Sequence, residues 1–122
     1  MIVGGHRILV VEDNDDAREM LADLLSARGY ATCAAPDADR ALALAVDFQP
    51  TIALLDIGLP STDGYDLARR LREVTGLEEL RIVAVTGYGQ EADRRRSREA
   101  GIDVHLVKPV ELAVLTAAFD RA

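Results

Sequence analysis

Four short stretches carry residues that could do chemistry together: Glu12-Asp13, Asp56, Thr86 and Lys108. Clustered carboxylates repel, and each raises the pKa of its neighbours unless a cation intervenes. Lys108, the single lysine among fourteen basic residues, offsets one charge. The rest asks for a hard divalent ion, and an all-oxygen site with retained waters suits Mg²⁺ better than zinc. A carboxylate beside Mg²⁺, with a hydroxyl and an ammonium at hand, is equipped to attack a phosphoryl group. In that chemistry Asp56 accepts phosphorus, while Mg²⁺, Thr86 and Lys108 stabilise charge on the equatorial oxygens.

Each residue alone also has a plain structural use. Glu12 or Asp16 could cap the following helix or complement its dipole. Asp56 could open a turn toward Gly58 and Pro60, Thr86 could bond its own backbone, and Lys108 could be solvated. What favours a joint function is their placement. Five short apolar runs, Ile8 to Val11, Ala31 to Ala34, Ile52 to Leu55, Ile82 to Val85 and Val104 to Val107, suit strands buried on both faces. Four of the five end in the chemical residues; the second ends only in Ala35 and Pro36.

Helical spacing fills the intervals. Met20, Leu21, Leu24 and Leu25 make a stripe that stops at Gly29, and Asp37 can cap a helix carrying Ala41, Leu42, Leu44, Ala45 and Phe48, closed off by Pro50. Leu67, Ala68 and Leu71 mark a third helix; Leu112, Leu115, Ala118 and Phe119 mark a fifth. A fourth, from about Glu91 to Ala100, is weakly apolar because Arg94, Arg95, Arg96 and Arg98 crowd it. Strict strand–helix alternation predicts an α/β fold, a five-stranded parallel doubly wound sheet of the (βα)5 flavodoxin-like kind. Too few residues remain for an eight-fold barrel. The working site of such a sheet lies at the carboxyl ends of its strands.

Composition narrows the function classes. With 122 residues, the chain has room for a single domain, 1–122, with its core at about 7–118. Its net charge is −7, and residues 1–61 hold four basic and ten acidic side chains, which disfavours direct nucleic-acid binding. The arginine run lacks interleaved aromatics and is answered by Glu91, Asp93 and Glu99, as on a solvated helix face. One cysteine, Cys33, excludes an internal disulfide and a cysteine-built zinc site. No apolar run is long enough to span a membrane and no signal-peptide pattern opens the chain, so the expected setting is cytoplasmic.

Taken in order, the fragments Ile8-Leu9-Val10-Val11-Glu12-Asp13-Asn14, Leu54-Leu55-Asp56-Ile57-Gly58-Leu59-Pro60, Val85-Thr86-Gly87 and Leu106-Val107-Lys108-Pro109 resemble the receiver domain of two-component response regulators, the fold also seen in chemotaxis regulators. The stretch from Thr86 to Val110 is similar to receivers fused to hybrid histidine kinases. The resemblance implies a phosphorylation-dependent switch of a phosphorelay, a phosphoacceptor domain rather than an enzyme, or the receiver portion of a hybrid kinase. Asp56 would be the phosphoacceptor; Asp13, Glu12 and Asp56 would hold Mg²⁺ with the Gly58 backbone carbonyl. Thr86 would bond the phosphoryl group and move toward it, Lys108 would bridge Asp56, and Lys108–Pro109 would be cis. The partners implied are a histidine kinase or phosphotransfer protein and a downstream protein docking on the face formed by the fourth helix, fifth strand and fifth helix.

The chain departs from the family where a switch aromatic often stands three residues before the lysine: that position is His105, and the nearest aromatic in sequence is Tyr88. Two other classes remain. A Mg²⁺-dependent aspartyl-nucleophile phosphatase of the haloacid-dehalogenase kind needs a second carboxylate two residues after the nucleophile, where Gly58 stands. A flavodoxin-like flavin binder needs a Ser/Thr-rich phosphate loop after the first strand, where Glu12-Asp13 would repel the phosphate.

Overall fold

The computed structural model of the protein describes residues 6–56, 64–86 and 98–120. Five strands, β1 Arg7–Val11, β2 Ala31–Ala35, β3 Ile52–Asp56, β4 Arg81–Thr86 and β5 Val104–Val107, form one parallel sheet in the order β2-β1-β3-β4-β5. Helices α1 Asp15–Ala27, α2 Ala38–Phe48 and α3 Gly64–Arg72 intervene, and α4, Leu112–Asp120, is the C-terminal helix. The fourth helical segment expected from sequence lies mostly outside the described residues; its end, 98–100, is helical.

The continuous apolar strands are explained by two cores. Leu9, Val11, Ala53, Leu55, Ile82 and Ala84 pack beneath α2 and α3, together with Ala41, Ala45, Leu67 and Leu71. Their strand neighbours Ile8, Val10, Ile52, Leu54 and Val83 point the other way, toward Leu25 of α1 and Leu115, Ala118 and Phe119 of α4. Side chains alternate across a strand, so burial on both faces requires apolar residues at every position. Tyr30 meets Phe119 edge-on, with ring centroids 5.5 Å apart.

Local signals act as the sequence predicts, with two differences. Asp37 caps α2, its carboxylate accepting from the Arg40 N–H at 2.9 Å. Gly29, at φ 95, closes α1 and donates to the Ser26 carbonyl at 3.0 Å. The cap of α1, however, is Asn14, whose side chain accepts from Ala17 N–H at 2.9 Å, and not Glu12 or Asp16. The apolar stripe of α1 is also narrower than its spacing suggests: Leu25 is buried, whereas Met20 and Leu24 face outward. No helix among the described residues is long and apolar enough to cross a membrane.

Candidate functional site

The chain reverses direction across the sheet between β1 and β3, since β2 lies on one side of β1 and β3 on the other. That switch point leaves a crevice at the carboxyl ends of the strands. Val11 pairs with Leu55, so Glu12, one residue further on, stands beside Asp56. Thr86 ends β4 and pairs with Val107; its carbonyl accepts from Lys108 N–H at 2.8 Å, which sets Lys108 next to it. Lys108–Pro109 is cis, as the resemblance implies.

Side chains then converge. The Lys108 ammonium donates to Asp56 Oδ2 at 2.7 Å and to Glu12 Oε1 at 3.4 Å. Glu12 Oε2 accepts from Asn14 N–H at 3.2 Å, so both of its oxygens are held. Oxygens of Glu12, Asp13 and Asp56 all lie within 4.8 Å of one another. Glu12 is 9% exposed, whereas Asp13 faces solvent. Burial is the main reason that the Glu12 carboxyl titrates above its ordinary 4.5; the Asn14 N–H opposes this, the charge of Asp56 adds to it and Lys108 counters. Burial alone would lower the Lys108 pKa, but the hydrogen bond and charge of Asp56, with those of Glu12, outweigh it and raise it.

Thr86 is 2% exposed, and its hydroxyl has no hydrogen-bond partner among the described residues. A buried orphan hydroxyl is unfavourable by roughly 1–3 kcal/mol unless something satisfies it. Three close carboxylates, an ammonium and an unsatisfied hydroxyl at adjoining strand ends fit a divalent cation and a tetrahedral oxyanion. The donor set is all oxygen, which suits Mg²⁺.

Thus Glu12, Asp13, Asp56 and Lys108 are brought together, with Thr86 at the adjoining strand end. His105 lies on the edge strand β5, partly exposed and opposite Ala84 in register. Gly58 and Tyr88 lie outside the described residues. Two residues with roles around the site were not singled out by sequence reasoning. Asn14 caps α1 and holds Glu12, which its Asn-x-x run before an apolar stripe could have signalled. Arg18 reaches back from α1 to the Glu12 carbonyl at 2.9 Å, for which no sequence signal exists.

Comparison with known proteins identifies the family and the fold. Residues 8–120 match the family described as the response regulator receiver domain. The chain is 30% identical to the polar-differentiation response regulator DivK of Brucella anthropi over 105 residues, 86% of this chain and 85% of that protein. Its fold is that of the Vibrio cholerae chemotaxis protein CheY4, with a TM-score of 0.87 at 22% identity over 95% of this chain and 97% of that one. A response regulator from Burkholderia pseudomallei, solved with a phosphorylated aspartic acid, calcium ion and citrate, gives a TM-score of 0.85 at 30% identity, covering 94% of this chain and 66% of that one.

Proposed function

Given that the chain belongs to the response regulator receiver domain family, we propose that it is a phosphorylation-driven switch in which Asp56 accepts a phosphoryl group from a phosphohistidine. Receivers are signalling domains of two-component systems, so the expected donor is a histidine kinase or phosphotransfer protein. The observation that carries the proposal is the Asp56 carboxylate, only 12% exposed, held at 2.7 Å by the one lysine of the chain.

In the proposed reaction an Asp56 carboxylate oxygen attacks phosphorus, the P–O bond forms as the P–N bond breaks, and the bonding pair returns to the donor imidazole. Lys108 keeps Asp56 oriented and can pass its contact to a phosphoryl oxygen as negative charge moves outward. Thr86 has a hydroxyl free to donate to another of those oxygens, which supports its role as the mobile switch residue. Glu12, Asp13 and Asp56, with the Gly58 carbonyl, would hold Mg²⁺, which when bound supplies charge neutralisation to the phosphoryl oxygens. The downstream partner face is proposed on β5 and α4 with the preceding helical segment, where the exposed Val114 stands beside Val104 and Leu106 around a hollow of about 330 Å³.

Incubation with Mg²⁺ and acetyl phosphate, read by intact mass, tests the proposal. Wild type should gain one phosphoryl group and Asp56→Asn none; a modified Asp56→Asn protein, or no Mg²⁺ dependence, would refute it.

A further inference from the structure

The loop after β1 and the first turn of α1 hold four acids, Glu12, Asp13, Asp15 and Asp16, and one basic residue follows them closely, Arg18. Although it stands on the second turn of a surface helix, its side chain is only 17% exposed. The guanidinium is folded back over the loop: Nη1 donates to the Glu12 carbonyl at 2.9 Å, and Nη2 to Asp15 Oδ1 at 2.6 Å. Its Asp15 partner is 80% exposed and adds little, since exposed ion pairs are weak. The bond to Glu12 is the informative one, because that carbonyl belongs to the peptide group joining Glu12 to Asp13.

Everything else around that peptide is already tethered. Glu12 N–H donates to the Ala35 carbonyl at 3.1 Å, Asn14 N–H donates to Glu12 Oε2 at 3.2 Å, and Arg18 N–H donates to the Asn14 carbonyl at 2.9 Å. Asp13 is a solvent-facing carboxylate beside that of Glu12, and its direction depends on the plane of the peptide before it. Rotation of the Glu12–Asp13 peptide would swing Asp13 out of the 4.8 Å cluster it makes with Glu12 and Asp56. We propose that Arg18 is a positioning residue that locks the Glu12–Asp13 peptide and so keeps Asp13 aimed at the cation site. This rests on the receiver reading of the site.

A fixed guanidinium near a cation site has two opposed effects, and they can be separated by sign. As a mere positive charge it weakens Mg²⁺ binding, so its removal should tighten it. As a lock it strengthens binding, and loss of a partner that orients a metal ligand lowers metal affinity roughly 10–100-fold. Lysine keeps the charge but donates from one nitrogen, where the planar fork places two nitrogens in fixed directions on two acceptors.

Mg²⁺ binding to the full chain is measured by calorimetry for wild type, Arg18→Ala, Arg18→Lys and Asp13→Ala. The Mg²⁺ dependence of phosphorylation by acetyl phosphate is measured in parallel. Arg18→Ala should bind Mg²⁺ about tenfold more weakly, with Arg18→Lys between it and wild type. Its phosphorylation should need correspondingly more Mg²⁺ while the rate at saturating Mg²⁺ stays near wild type. Unchanged or tighter Mg²⁺ binding by Arg18→Ala overturns the inference. If Arg18→Ala does not fold, Arg18→Lys decides alone: weaker binding supports the lock and wild-type binding overturns it. An Asp13→Ala protein that binds Mg²⁺ like wild type would instead remove the metal-site reading, and this inference with it. Weakened Asp13→Ala beside an unaffected Arg18→Ala removes only the role of Arg18.

Discussion

Lys108 contacts two carboxylates with a single nitrogen, at 2.7 and 3.4 Å. An ammonium can do this as a point charge, whereas a guanidinium is planar and bulkier and donates in fixed directions. Lys108→Arg should therefore keep the net charge and the fold yet slow phosphorylation of Asp56, measured against Arg28→Lys at an exposed position as a control. Thr86 offers a cleaner separation of resting and switched states. Its buried hydroxyl has no partner among the described residues, so the isosteric Thr86→Val should leave resting stability unchanged or raise it by up to about 1 kcal/mol. The same variant should lose the hydrogen-exchange response to beryllofluoride, a phosphoryl mimic; a strongly destabilised Thr86→Val would mean the hydroxyl is bonded at rest. Cys33 lies outside this chemistry. Burial pushes its thiol from 9.0 to about 11, with Arg7 opposing. A raised pKa means the folded protein keeps a proton that the unfolded chain releases, so stability drawn from Cys33 is complete below pH 9.0 and lost as pH rises toward 11. Alkylation at pH 8 should run roughly a hundredfold slower than in the urea-unfolded chain, since the thiolate is the nucleophile.

At the scale of elements, the site depends on β4 and β5 staying in register, and a junction at their far end holds them. Asp103 N–H donates to the Ile82 carbonyl at 2.9 Å while its carboxylate accepts from Ile82 N–H at 2.7 Å, so one residue closes both bonds. Arg72, the last residue of α3, then donates to the same carboxylate at 2.8 Å and to the Gly101 carbonyl at 2.9 Å. Gly101 fits because a Cβ there would strike the Arg72 side chain, and its φ of 85 is one that other residues rarely adopt. Ile82 is fully buried. Asp103→Ala strands its N–H and should cost about 1–3 kcal/mol in urea unfolding. Asp103→Asn, which retains an acceptor, should cost less. Equal losses would show that charge rather than the hydrogen bond to Ile82 secures the junction.

For the molecule as a whole, three clustered carboxylates make the cation-free fold less stable than it could be. A ligand that binds only the folded state stabilises it by mass action, about 2.7 kcal/mol at a hundred times its Kd. Millimolar Mg²⁺ should therefore raise the melting temperature by several degrees, and the rise should disappear in Asp13→Ala. A rise that persists in that variant would place the ion elsewhere.

The alternation of apolar runs and helical stripes by itself determined the architecture, because a parallel strand buried on both faces must be apolar throughout and the helices between such strands must carry a stripe. The strand-end positions of Glu12, Asp13, Asp56, Thr86 and Lys108 followed from that alternation, since a doubly wound sheet aims all its carboxyl ends at one edge. Tertiary structure alone decided the rest. Which helix residues meet the sheet depends on how each helix sits, so Met20 and Leu24 turned outward although their spacing matched that of Leu25. Contacts between residues far apart in the chain, such as Arg72 with Asp103, leave no local pattern. Arg18 looks like any arginine on a surface helix until its guanidinium is found on the peptide before Asp13. Local spacing encodes which face a residue can reach; only packing sets which single atom it finds there.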